Sequence, residues 1–255
     1  MSITELGKTI KGELIVDAHA HVGTYYNFHI PFAEWEHSKE TAKQLNFAHV
    51  IASSTRALAN DAALGNNELL TLVDRESSLL IPYLVFKPNS PDYLKDLIKI
   101  AQNRSIRNFK LHDDGNNLSY DYKGYDEFYA WANSINAIIL FHTFGKIHLE
   151  PIMRVAAQYS NITCLLAHSG IVDEHLYVEA ALKHENIYLE LANSWAWFGL
   201  IERLVKGVGS ERIIFGSDMP FLSPEQQLGR IVMARISDQA KKQILGLNAK
   251  RLFKL

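Results

Sequence analysis

At 255 residues, with 47% hydrophobic and 21% charged side chains, the chain is long for a sandwich or a bundle but ordinary for one α/β barrel with a sizeable core. A net charge of -2, with no basic run longer than the Lys241–Lys242 pair, argues against nucleic acid or an anionic membrane as partner. The lone Cys164 excludes an internal disulfide, and no apolar run reaches the roughly 18 residues that span a bilayer, nor does a secretory pattern open the chain, so a cytoplasmic protein is expected.

The stretch "LIVDAHAHV" (14–22) opens a series of strand-like runs. As a strand it would put Asp17, His19 and His21 on one face and Val16, Ala18 and Ala20 on the other. Further runs follow at 47–54 (FAHVIASS), 79–86 (LLIPYLVF), 105–113 (SIRNFKLHD), 136–143 (NAIILFHT), 161–169 (NITCLLAHS), 186–193 (NIYLELAN) and 212–218 (RIIFGSD). Helical patterns fill the gaps. "SPDYLKDLIKIAQN" offers Ser90 as N-cap and Pro91 at the first helical position, and "SPEQQLGRIVMARIS" repeats this start with Ser223 and Pro224. The closing "ILGLNAKRLFKL" reads as an amphipathic helix that seals the barrel. Eight strand–helix alternations predict an α/β fold, a single eight-stranded parallel (β/α)8 TIM barrel over residues 1–255. An open doubly wound sheet is the structural alternative, but no glycine-rich phosphate loop follows any of the strands.

The polar exceptions fall at the carboxyl ends of these runs: His19 and His21 on the first, Lys110 and His112 on the fourth, His142, His168 and Asp218 on the fifth, sixth and eighth. Barrel enzymes build their sites on that face. Any one of these histidines alone reads as a core imidazole bonded to a backbone carbonyl. Together they read as a site. Imidazoles with one carboxylate suit Zn²⁺, with Mn²⁺ or Fe²⁺ also compatible. A metal at His19, His21, His142 and Asp218 would activate water, Asp218 would accept its proton, and His168 would orient substrate, move a proton or complete a second metal site.

The set "DAHAHVG", "FKLH", "FHTFG", "LAHSG", "IFGSDMPF" and "ILGLNAKRLF" resembles the amidohydrolase superfamily, in particular the amidohydrolase-related group of metal-dependent hydrolases and decarboxylases, from about residue 14 to 253. The resemblance implies metal ligation by His19, His21, His142 and Asp218, and a second-metal or catalytic role for His168. Lys110 stands where binuclear members carry a carboxylated lysine. A bridging Lys110 carbamate with His168 would give a second metal, whereas an uncarboxylated Lys110 would bind substrate in a one-metal site, which is the reading preferred here. TatD-like deoxyribonucleases share the early His-x-His, but their acidic fourth-strand segment is replaced here by "NFKLHDD".

Loops after the strands set the substrate. "TYYNFH" and "SWAWFG" gather Tyr25, Tyr26, Phe28, His29, Trp195, Trp197 and Phe198, which offer a surface for a planar ligand or cover a rim or an oligomer contact. Arg56 is the candidate clamp for a substrate carboxylate. Lys110, His112 and Trp195 complete the expected substrate-binding set. Glu190 and Asn193 face the lumen on this pattern without an assigned role. The expected function is metal-dependent hydrolysis of a C–O or C–N bond (lactone, ester or amide) in a small molecule; the alternatives are a non-oxidative decarboxylase and a metal-binding protein without turnover. A homo-oligomer is compatible with this reading.

Overall fold

The computed structural model describes residues 12–27, 29–113 and 118–255. Its strands are β1 (Ile15–Val22), β2 (Phe47–Ser54), β3 (Leu80–Pro82), β4 (Leu84–Val85), β5 (Asn108–Leu111), β6 (Ile138–Phe141), β7 (Thr163–Leu166), β8 (Ile187–Glu190) and β9 (Ile213–Ile214). All pairings are parallel and follow chain order, β1-β2-β3 in one run and β4 to β9 in the other. Only Tyr83 separates β3 from β4, so the two are halves of one barrel strand. The first and last strands meet through Ala18 N–H to Phe215 O (3.1 Å), Asp218 N–H to His19 O (2.7 Å) and His21 N–H to Met219 O (2.7 Å). The result is the eight-stranded parallel barrel that the alternation predicts.

Helices alternate with the strands. The "SPDYLKDLIKIAQN" pattern becomes a helix over Pro91–Arg104 with proline in its first turn, although the Ser90 side chain makes no capping bond. Ser223 does cap, accepting from Gln226 N–H at the start of the Pro224–Met233 helix. At the C-terminus the predicted helix is compound, a π-helical turn at Gln243–Leu247 followed by an α-helix at Asn248–Phe253. It closes the amino end of the barrel: Ile244 O accepts from Phe215 N–H at 2.9 Å, and the Phe253 ring packs on Tyr83 at 6.0 Å.

Two apolar layers result. Val16, Ala18, Ile51, Tyr83, Ile138, Leu140, Leu165, Ala167 and Ile214 form an interior cluster with Ala249 and Phe253. A larger one, including Val50, Phe109, Ile139, Phe141, Cys164, Leu166 and Ile213, packs with helix residues such as Leu97, Phe128, Ile152 and Leu204.

The clean alternation expected along "IVDAHAHV" is corrected. The register slips between Asp17 and Ala20, where three steps along β1 match two along β2 (Asp17 beside Val50, Ala20 beside Ala52). Asp17 is the cause, because its Oδ1 accepts His19 N–H (3.2 Å) and Ser217 N–H (2.8 Å) while its Oδ2 accepts the Ser217 hydroxyl (2.5 Å). Val16 and Ala18 therefore join the interior cluster while Ala20 joins the outer one. Asp17 ties β1 to the segment after β9 and does not share a face with His19 and His21.

Candidate metal centre and catalytic cup

The barrel's carboxyl rim collects His19 and His21 from β1, Lys110 from β5 and Glu190 from β8, with His112, His142, His168 and Asp218 just beyond β5, β6, β7 and β9. His168 and Asp218 both sit in the left-handed backbone region, each with φ of 60°. For residues other than glycine that conformation costs about 1–3 kcal/mol, and here it bends the chain off the strand at the points where a polar side chain must turn into the cup.

Each imidazole of the inner group is fixed from behind. His19 Nδ1 lies 2.9 Å from Glu190 Oε2, a carboxylate that also accepts His168 N–H (3.2 Å) and Ala192 N–H (2.5 Å). His21 Nδ1 lies 3.0 Å from the Ser53 hydroxyl, its register partner on β2. His168 Nδ1 donates to Ala192 O at 2.8 Å, and since a carbonyl only accepts, the ring's Nε2 carries the lone pair. With Nδ1 of His19 against Glu190 and Nδ1 of His21 against the Ser53 hydroxyl, the Nε2 atoms of both rings face Asp218 Oδ1 at 3.5 and 3.1 Å.

Asp218 Oδ1 is buried without a hydrogen-bond partner. His19, His21 and Asp218 have ligating atoms within 4.8 Å of one another, as do His19, His168 and Glu190. A buried carboxylate oxygen without a hydrogen-bond partner, set among imidazole nitrogens, fits a divalent cation, which would supply positive charge there.

The charge pattern agrees. Burial holds His19 and His142 well below the ordinary imidazole range, and lowers His21 and His168, so the rings are neutral donors. Burial also opposes ionisation of Asp218, but the polar groups around it, His21 at 3.1 Å first and the Lys110 ammonium among them, outweigh burial and keep the carboxyl below its usual range. Lys110 is fully buried with Nζ 3.1 Å from His19 Nε2, and burial brings its ammonium down to about 8. Burial pushes Glu190 up to about 8, against the two backbone N–H bonds that favour its anion.

A cavity of about 290 Å³ opens over this group, its wall combining His112, His142, His168 and Asp218 with Tyr25, Phe144, Ile171 and Phe221. That size suits a one-ring molecule. Of the expected ligands, His19, His21 and Asp218 converge, whereas the ligating atom of His142 groups with His112 and Asp113. The His142 ring stacks on His112 at 3.9 Å and stands 5.0 Å from His168. Arg56 is elsewhere: it pairs with Glu68 at 3.1 Å, half-exposed, in a separate hollow of about 180 Å³ beside Ser54 and Thr55. Trp195 is exposed and does not line the cavity, although its ring meets Phe144 edge-on at 6.3 Å. Trp197, Phe198 and Tyr26 are likewise exposed, and Phe28 lies outside the described residues.

Glu190 is the functional residue that sequence reasoning left without a role. Its signal was a carboxylate inside the apolar run "IYLELAN" on the interior face, and the partner that explains it, His19, is 171 residues away.

A family model described as Amidohydrolase matches residues 16–255. No curated protein matches the chain. Among solved structures it is similar to 2,6-dihydroxybenzoate decarboxylase from Rhizobium, with TM-score 0.75 and 14% identity over 95% of this chain and 98% of that one. A dihydroxybenzoic acid decarboxylase from Polaromonas, bound to manganese and 2-nitroresorcinol, gives 0.75 and 15% over 96% and 97%. The 5-carboxyvanillate decarboxylase of Novosphingobium aromaticivorans, bound to manganese and 4-hydroxy-3-methoxy-5-nitrobenzoic acid, gives 0.76 and 12% over 96% and 97%. At these identities the likeness is one of fold. No helix among the described residues is long and apolar enough to cross a membrane.

Proposed function

The chain belongs to the amidohydrolase family, and from that premise we propose that it is a metal-dependent, non-oxidative decarboxylase of a small aromatic carboxylate. The observation that carries this reading is the unsatisfied Asp218 Oδ1, set among imidazole nitrogens on the wall of a cavity sized for one ring. The decarboxylases of similar fold that bind manganese together with nitro-substituted phenols support a divalent cation and a planar ligand. The expected hydrolysis is the second reading, favoured by the family's description.

His19, His21 and Asp218 would hold the cation. When bound, it supplies positive charge that draws in and orients an anionic substrate. The chain's own residues do the rest. Phe144, Ile171 and Phe221 exclude water around the ring, which favours conversion of a charged carboxylate to neutral CO₂. The Lys110 ammonium, next to His19, adds to the field that attracts a carboxylate. In the reaction the bond between ring carbon and carboxylate breaks, its electron pair stays on the ring carbon, and one proton is added there as CO₂ leaves. The proton comes from solvent: His168, whose Nε2 carries a lone pair, would take one up from water and pass it to the ring carbon, with Asp218 beside it on the cavity wall.

Incubating Mn²⁺- or Zn²⁺-loaded protein with ring-hydroxylated benzoates in D₂O tests this. The expected result is CO₂ release matched by one deuterium at the vacated ring carbon. Hydrolysis of a lactone, ester or amide panel, with no CO₂ from any aromatic acid, would replace this reading with the hydrolytic one.

A further inference from the structure

We propose that Gln227 and Arg230, neither of which lines the cavity, are positioning residues that set the imidazole of His168 through the backbone beyond β8. The inference rests on the proton transfer assigned to His168 in the decarboxylase reading. His168 Nδ1–H donates to Ala192 O at 2.8 Å, so the direction and tautomer of the ring depend on where that carbonyl stands. Strand β8 ends at Glu190, and its ladder with β9 closes with Leu191 N–H to Ile214 O at 3.1 Å. Past that point, side chains of the Pro224–Met233 helix take over. Gln227 accepts Asn193 N–H on Oε1 at 3.1 Å and donates from Nε2 to Asn193 O at 3.0 Å. Arg230, on the same face of the helix, donates from Nη1 to Leu191 O at 3.0 Å and to Gln227 Oε1 at 2.6 Å. Ala192 is thus bracketed by two neighbours tied to the helix, and its own N–H goes to Glu190 Oε1 at 2.5 Å. Every backbone N–H and C=O from Leu191 to Asn193 has a partner, and Gln227 and Arg230 supply three of the six.

Asn193, which its sequence pattern left without a role, completes the clamp. Its Nδ2 donates to Ser169 O at 3.2 Å, and Ser169 N–H donates to Glu190 O at 2.9 Å, so the backbone on the far side of His168 is tied to the same segment. His168 needs that support, because a φ of 60° persists in a residue other than glycine only where its surroundings fix it. Gln227 is buried, where its hydrogen bonds are stronger than in water. The helix also follows directly on the Asp218 segment, so one element joins that segment to the acceptor of His168. A looser clamp would let Ala192 O turn away and release the ring to its other tautomer, whose Nε2 carries a hydrogen and cannot take up a proton. Turnover would suffer, and substrate binding would not.

The tautomer is read directly by ¹⁵N NMR of histidine-labelled, Zn²⁺-loaded protein, with the His168 resonances assigned by their loss in His168→Gln. Wild-type protein should show a protonated Nδ1 and an unprotonated Nε2. In Gln227→Ala, and in Arg230→Met, which keeps the stem but no donor, both nitrogens should move toward the intermediate shifts of exchanging tautomers. With 2,6-dihydroxybenzoate as probe substrate, kcat should fall about 10- to 100-fold in these variants while KM stays within about twofold. Asn248→Ala is the control. It removes a buried side chain that donates to Ser210 O and Ile213 O at 2.8 Å each, at the amino end of the barrel, so it should cost stability and leave the His168 shifts, kcat and KM as they are. Wild-type shifts in both Gln227→Ala and Arg230→Met would overturn the inference. So would an equal displacement in Asn248→Ala, which would mark a general loosening of the barrel. Turnover that survives His168→Gln, or no CO₂ from the probe, would count against the decarboxylase reading alone, and the NMR shifts would still decide the clamp. If Gln227→Ala fails to fold, Arg230→Met decides.

Discussion

Glu190 acts through His19. Its carboxylate holds the imidazole by Nδ1 and is itself held by two backbone N–H groups, so the ring presents Nε2 to the cup in a fixed direction. With its carboxyl pushed up to about 8, Glu190 gains its negative charge as the pH rises through that value, so Glu190→Gln, which keeps an acceptor but no charge, should lower metal affinity about 10- to 100-fold at about pH 9, measured by chelator competition, with folding retained. An unchanged affinity would mean that the pair only fills space. Gly216 guards the same pair: a Cβ there would stand 2.3 Å from Glu190 Oε1 and 2.6 Å from His19 Cβ, both buried. Gly216→Ala should therefore weaken metal binding and lower stability by about 1–3 kcal/mol, the range for overpacking. A normal chelator-competition curve and urea midpoint would show that the segment after β9 can yield without cost. Neither dependence was legible in the sequence. A glycine before "SD" and one acid in an apolar strand acquire meaning only when β8, β9 and β1 are set side by side.

At the scale of elements, the strand positions were legible and their ladders were not. The run 47–54 coincides with β2, but 105–113 shrinks to Asn108–Leu111 because Ser105, with φ of 54°, still terminates the preceding helix. The run 212–218 shrinks to Ile213–Ile214 because Ser217 and Asp218 bond Asp17 and His19 in place of a regular ladder. The third strand breaks for a similar reason. Asn66, fully buried on the Ala62–Glu76 helix, takes both backbone groups of Val85, its Oδ1 accepting Val85 N–H at 2.9 Å and its Nδ2 donating to Val85 O at 2.8 Å. A side chain here replaces a strand partner, which hydrophobic patterning cannot reveal. Asn66→Ala would leave a buried N–H and C=O unpaired at about 1–3 kcal/mol each, so a loss of roughly 2–6 kcal/mol in urea unfolding is expected. A loss under about 1 kcal/mol would mean that water reaches the gap.

Over the whole molecule, what the sequence revealed was the rim: polar residues at the ends of successive apolar runs have to meet if the runs close into a parallel barrel. It could not reveal that Arg56 would be taken by Glu68, since that pairing depends on how the Ala62–Glu76 helix packs on the short Thr55–Ala59 helix that carries Arg56. The same closure would give the proposed metal centre a structural role. His19 and His21 come from β1 and Asp218 from the segment after β9, so a cation among them would staple the seam where the ring shuts, beside the Asp17–Ser217 bonds. In the unfolded chain these donors are some 200 residues apart, as Asp17 and Ser217 are. A metal that recognises only the folded seam stabilises it by mass action, about 2.7 kcal/mol at a free concentration one hundred times its Kd. For a chain of this length that corresponds to a rise in Tm of roughly 5–10 °C. Scanning calorimetry of chelator-treated protein with and without Mn²⁺ or Zn²⁺ should show the rise, and Asp218→Asn should lose most of it while Arg56→Ala keeps it. An equal rise in Asp218→Asn would place the stabilising metal away from the seam.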